Sequence, residues 1–551
     1  MDLPPTVIEE KRRNAVTELS LDILRPDLRS INDLPDELLL EIAKYLEGDN
    51  PTLGNLNRTS RRFKAIGDEL LYRTISLPRT RGDSVMYLVR TIVERPELGS
   101  KIRRLTLSTT SWRIDINGDT VIVGSIFTKT RPATSRDELG ALLIQISQSL
   151  NSLSILGSGG PFQSMEEIDW RCTLLLGRLS SLAGLLLALC DNLDMLCMGM
   201  YHRDDLDIPA FDVVHSLYGL ECNFMQQPPS RWSGFKQFHN VKRLRVSGLN
   251  MDILRFPFMS LQVLEIDLSR EYFSEHLPTP EHVFFGNKST QCLSPRCANL
   301  HTLIIRSDWN ELNDQAHLSH GYQLPILLQD FAGPTITRLE ILFMRSPTVV
   351  KQWLGSFEHI AEHIARALSE DTDVSARLQF IKIDYEESDH FDPRRCFGGC
   401  TNLHSFSSFR KLTKMEVLQG VLVFEARNTF DELHYFSGVI PPPSLESLTV
   451  ICPTKAILTW LNMIVERKTE VPALEKIVLL CRCGYGAGPE EFEGDVSTYV
   501  FAQLNDLGID VRVVEETPGA FAALARKEGS VWEADWAEDG WVDGLFGQDQ
   551  G

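Results

Sequence analysis

The residues best suited by type and spacing to chemistry are His359, Glu362 and His363, in the order H-x-x-E-H. This is the inverted order of a zinc-binding helix. Two histidines four apart share a helical face and can grip one zinc, while the glutamate deprotonates the water it holds. The surrounding periodicity argues against that use. Leu354, Phe357, Ile360, Ile364 and Leu368 form the apolar stripe of a helix expected over 351–370. That stripe turns both histidines to the solvated side. No third-ligand motif follows downstream. A zinc hydrolase is therefore the least favoured functional reading, and no catalytic residue, metal or cofactor is expected.

Other reactive groupings are weaker still. Cys396-x3-Cys400, Cys292-x4-Cys297 and Cys481-x-Cys483 lack the paired C-x-x-C arrangement of structural zinc sites. They read as buried thiols that act as small hydrophobes. Gly484-Tyr485-Gly486-Ala487-Gly488 has no following Lys-Ser/Thr, and Pro489-Glu490-Glu491 comes next. Negative charge there repels phosphate, so the run is a loop. Arg103, Arg104, Arg243 and Arg245 can pair with phosphate, but scattered surface arginines are the plainer account.

The elements that would position such residues come in two kinds. Over 31–77, Leu34, Leu38, Leu39, Ile42, Tyr45 and Leu46 recur at helical spacing, and Leu40 adds a second face. Pro35 suits a first helical turn, where the amide it lacks has no partner to lose. Gly48, Asn50 and Pro51 are expected to stop this helix. Two further short helices follow, through Leu53 and Leu56, then Ile66, Leu70 and Leu71. Fewer than fifty residues cannot hide so many large apolar side chains, so the leftover face implies a protein partner.

The stretch resembles an F-box. Leu34-Pro35-x-Glu37-Leu38-Leu39 matches the opening signature, Ser60-Arg61-Arg62-Phe63 the middle, and Leu70-Leu71-Tyr72-Arg73 the close, with Tyr72 where Trp is commoner. The resemblance implies that Leu34, Pro35, Glu37, Leu38, Ile42 and Leu46 dock on the Skp-type linker subunit of an SCF-type, cullin–RING ubiquitin ligase.

After residue 77 a phrase recurs, apolar-x-x-apolar-x-apolar. Copies start at Ile102, Leu150, Leu193, Val241, Leu261, Leu300, Ile336, Leu378, Leu403, Leu445 and Leu474, between 20 and 48 residues apart. Several follow a turn, as at Gly333-Pro334 and Pro441-Pro442-Pro443, and helical patterns follow over 455–468 and 496–507. Turn, strand and helix in succession read as a leucine-rich-repeat-like solenoid. The expected fold class is α/β: a three-helix front, then a solenoid with a curved parallel sheet. Strand alternation puts the fourth and sixth residues of each phrase in the core and the fifth outside. Arg245, Glu265, Ile304, Glu340, Lys382, Ser407, Thr449 and Val478 are the outward residues, and a substrate protein would meet Arg245, Glu265, Ile304, Glu340, Lys382 and Thr449. An α/β domain of another kind is the alternative.

The expected organisation is an extension over 1–30, an F-box over 31–77, a solenoid over 78–525 and a tail over 526–551. From residue 531 the tail holds six acidic residues, Trp532, Trp536, Trp541 and no Lys or Arg. It suits a partner motif or a cap on the last repeat. The net charge of −20 argues against a general nucleic-acid surface. Leu174–Cys190 is apolar but carries Arg178 and falls short of a membrane span, so a buried helix is expected there. Met1 to Ser20 is polar and charged, which gives no cleavable signal, and the odd cysteine count of 11 suits a reducing setting in cytoplasm or nucleus.

The leading reading is a non-enzymatic substrate adaptor of an SCF-type ligase, with a linker subunit, a cullin and an unidentified substrate protein as partners and neither nucleic acid nor membrane. A scaffold that binds the linker outside any ligase is the second reading. The style of the chain looks like the expanded F-box families of filamentous fungi.

Overall fold

The computed structural model describes residues 31, 34–46, 50–77, 82–116, 119–123, 179–202, 238–247, 253, 258–267, 297–308, 335–344, 375–385, 409–426, 435–438, 440–482 and 488–516. The chain divides into two compact units, Met1–Ile75 and Ser76–Gly551.

The first unit is built of α1 (Asp36–Lys44), α2 (Asn50–Thr59) and α3 (Arg61–Leu71). Pro35 caps α1 in an extended conformation, and Asp36 and Glu37 fill its first turn, where a helix favours negative charge. Asn50 and Pro51 do not merely end the first helix. They open α2, because a missing amide costs nothing in a first turn. Ser60 caps α3 by accepting the Phe63 amide at 3.1 Å. The core is Leu39, Ala43, Leu53, Phe63, Ile66 and Leu70, with Leu34, Leu40, Leu46, Leu56 and Leu71 packed on it half-buried.

The division falls within β1 (Thr74–Leu77). Helix α4 (Gly82–Glu94) follows, and α5 (Leu179–Ala188) lies further on. From Leu182 to Leu187 every apolar side chain of α5 is fully buried, as expected of that apolar run. Among the described residues no helix is long and apolar enough to cross a membrane. Gly99 is required where these pieces meet: a Cβ there would stand 2.2 Å from the Leu189 carbonyl oxygen.

The sheet strands are β2 (Arg104–Ile116), β3 (Asp119–Val123), β4 (Met195–His202), β5 (Arg243–Ser247), β6 (Val263–Asp267), β7 (Thr302–Asp308) and β8 (Arg338–Met344). They continue as β9 (Phe380–Tyr385), β10 (Lys414–Leu418), β13 (Ser447–Ile451), β14 (Lys476–Arg482) and β15 (Asp510–Glu516). After β10 come α6 (Gln419–Leu422) and the antiparallel pair β11 (Val423–Ala426) and β12 (Tyr435–Gly438). Helices α7 (Ala456–Glu466) and α8 (Asp495–Asp506) follow β13 and β14. The order is β1-β2-β4-β5-β6-β7-β8-β9-β10-β13-β14-β15, with β3 paired to β2. From β2 to β15 each strand pairs parallel to its neighbour along this path. Each strand thus lies beside the next in sequence apart from the two small antiparallel pairs, which is solenoid-like α/β architecture.

The repeat shows in the backbone. The Arg103 carbonyl accepts the amides of Asp194 and Met195 at 2.8 and 3.0 Å, and the Asp194 carbonyl accepts those of Lys242 and Arg243. The same forked bond recurs strand after strand as far as Glu446, which accepts from Glu475 and Lys476. Each of these strand starts is thereby satisfied by its predecessor. The fourth and sixth residues of the phrase, such as Leu196 and Met198 or Leu448 and Val450, are fully buried.

The copies expected at Leu150 and Leu403 lie outside the described residues. Leu412-Thr413-Lys414-Met415-Glu416-Val417 supplies β10, a copy that sequence reading missed because no Gly or Pro turn precedes it. The hairpin of β2 and β3 was also missed, although Asn117-Gly118 between them in sequence is a strong hairpin dipeptide.

Candidate docking faces

Helix α1 carries two apolar faces. Leu39 and Ala43 point into the core at 2% exposure each. Leu38, Ile42 and Tyr45, spaced by four and three, form a second stripe, exposed at 37%, 45% and 91%. Pro35 and Glu37 are exposed beside it. Leu34 and Leu46, expected in the docking face, pack half-buried against the core. Tyr45 was omitted from the expected site, yet its spacing already placed it there. Arg62 holds the start of α1: its Nε donates to Asp36 Oδ1 at 2.6 Å and its Nη2 donates to the Leu34 carbonyl.

On the sheet, the expected outward residues fall in one register row. Cys197 pairs with Arg245, Arg245 with Glu265, Glu265 with Ile304, Ile304 with Glu340, and Glu340 with Lys382. The row continues through Glu416, Thr449 and Val478 to Arg512. Glu416 stands in the place expected for Ser407, which lies outside the described residues. The row is not uniformly open. Arg245 and Glu265 are 4% and 1% exposed and Ile304 is buried, while Glu340, Lys382 and Thr449 are half-buried.

Burial of charge at the front of the row is offset by ion pairing. Glu265 lies 2.5 Å from Arg306 Nε and 3.2 Å from both Arg245 and Arg243. Burial pushes its carboxyl up, but Arg245, Arg306 and Arg243 together outweigh that and hold it at about 2. A second buried group joins distant strands. Arg482 donates to both carboxylate oxygens of Asp384 at 2.7 and 3.0 Å and to Glu516 at 2.5 Å. Burial works against the Arg482 charge, yet Asp384 and Glu516 keep its guanidinium held above the ordinary arginine value. These are structural ion groups, since their charges are spent on one another.

Among the described residues most thiols are buried. Cys190, Cys197, Cys452 and Cys481 are buried, and burial pushes the Cys481 thiol up to about 11, so little thiolate forms at neutral pH. Cys297 is half-buried. Cys292, Cys396, Cys400 and Cys483 lie outside the described residues, as do His359, Glu362 and His363. Among the described residues no group of three or more His, Cys, Asp or Glu is placed to hold a metal ion.

Residues 31–78 match a family model described as F-box-like. No curated protein matches the chain.

Proposed function

We propose that this chain is a substrate-recognising adaptor of an SCF-type ubiquitin ligase. The F-box-like domain over 31–78 carries the reading, and the uncovered apolar stripe of Leu38, Ile42 and Tyr45 supports it. That stripe seats on the Skp-type linker subunit, with Pro35 and Glu37 at its rim, and the linker joins the chain to a cullin. The outward face of the parallel sheet receives a substrate protein. The chain breaks and makes no covalent bond. It acts by tethering, which raises the effective concentration of a substrate lysine beside the ubiquitin-loaded enzyme. Its work belongs to the cytoplasm or nucleus.

The test compares affinity purification of the intact chain with a version lacking residues 31–77. Loss of the linker subunit with retention of other partners supports both halves of the reading. Equal recovery of the linker from both versions overturns it. Ubiquitin transfer in a reconstituted ligase then separates an active adaptor from a linker-binding scaffold.

A further inference from the structure

The outward row nearest the strand starts has a chemistry unlike the rest of this acidic chain. Arg104 and Arg243 each pair with Met195, and the row runs on through Arg338, Phe380 and Lys414 to Lys476. It ends on Asp510, the one acid in it. Five cations against one carboxylate stand out in a chain of net charge −20.

The cations are presented rather than buried. The side chains of Arg338 and Lys414 are 46% and 49% exposed, whereas that of Arg243 is 30% exposed and is held by Glu265. Arg104 and Lys476 are exposed as well. Arg338 and Lys414 flank the ring of Phe380, with Cζ 3.9 Å and Nζ 5.2 Å from its centroid. The ring face attracts both cations and fixes two like charges near each other. Glu340 and Glu416, one residue pair further along the strands, neutralise them in part at 2.6 and 2.7 Å.

We propose that this row seats an acidic, extended segment of the captured protein, laid across the strands with its carboxylates on Arg104, Arg338, Lys414 and Lys476. The inference rests on the adaptor reading, in which the outward face receives a substrate. Arg104 and Lys476 lie about nine strand spacings apart, roughly 43 Å, which about thirteen extended residues span. Exposed ion pairs contribute only about 0.2–1 kcal/mol each, so the row works by number. At about 0.15 M salt the Debye length is near 8 Å, so charges remote from the row are largely screened. A nucleic-acid strand fits less well. Its charge is evenly spaced along the backbone, whereas Glu340 and Glu416 interrupt the positive surface alongside. A peptide can set neutral residues against those carboxylates.

The experiment uses the full chain and labelled synthetic peptides of about fifteen residues, alternating Glu-Ser or Lys-Ser, with an oligouridylate as a third probe, read by fluorescence anisotropy. The acidic peptide is expected to bind and to weaken as salt rises. Arg338→Glu with Lys414→Glu is expected to weaken it at least tenfold, and the milder Arg338→Gln with Lys414→Gln at least threefold. Lys455→Glu, at an exposed position off the row, is expected to change it less than twofold. Urea midpoints confirm that each variant is folded. No binding of the acidic peptide, undiminished binding by the glutamine pair, or tighter binding of the oligouridylate overturns the inference. Linker binding is measured on the same samples. Linker kept with peptide binding absent overturns this inference alone, and peptide bound with linker absent overturns the adaptor reading alone.

Discussion

Glu265 is the residue on which the local electrostatics of the sheet turn. It forms ion pairs with Arg243, Arg245 and Arg306 while 1% exposed. Its carboxyl titrates at about 2 in the fold, against about 4.3 in an unfolded chain. A depressed value of this kind contributes stability that is fully present above the unfolded value and is lost as pH falls toward the folded one. Glu265→Gln leaves three guanidinium groups facing an uncharged amide, and removing one partner of a buried pair costs about 3–5 kcal/mol. Urea unfolding at pH 7 is expected to show that loss. The gap between wild type and variant is expected to narrow steadily from about pH 4 toward pH 2. A gap that holds constant on acidification would show that the arginines do not set the ionisation of Glu265.

At the scale of the element, α1 separates packing from docking within one helix. Leu39 and Ile42 are three positions apart, and only Leu39 faces the core. Leu39→Ala removes buried methyl groups and is expected to cost about 2–5 kcal/mol. Ile42→Ala sits on the open face and is expected to change stability by less than about 0.5 kcal/mol. Thermal unfolding of the full chain, together with linker recovery, checks the pair. Leu39→Ala lowers the midpoint of the helical unit, whereas Ile42→Ala leaves it in place and weakens linker binding. The reverse ranking would mean that the open stripe is a core face. Sequence periodicity located the apolar residues of the helix but grouped Leu39 with Leu38, Ile42 and Tyr45. It could not say which leucines belong to the core and which to the open stripe, so Leu34 and Leu46 were expected outside and pack inside.

At the scale of the molecule, a solenoid holds together mainly through contacts between neighbouring repeats. Asp384 and Arg482 depart from that rule, because β10 and β13 lie between β9 and β14. Their bidentate pair ties strands that are not adjacent. Arg482→Met is expected to raise amide hydrogen exchange in β9, β14 and β15 together while leaving β4 to β6 unchanged. Faster exchange confined to β14 would show that the tie carries no long-range cooperativity. Much of the architecture was legible beforehand. The turn at 441–443, the strands after Leu445 and Leu474 and the helices over 455–468 and 496–507 were read closely, because three prolines, a short alternating run and a 3.6-period stripe each have a local cause. Strand β10 was not, since Phe409-Arg410-Lys411 carries no turn residue ahead of Leu412. The amino-acid order alone determined which side of each strand and helix is apolar, since that depends on a period of two or 3.6 residues and nothing remote. Only the tertiary structure decided which outward side chains stay wet. Arg245, Glu265 and Arg306 are brought together by register between strands 20 to 40 residues apart. Burial of that kind depends on neighbours that no local period encodes.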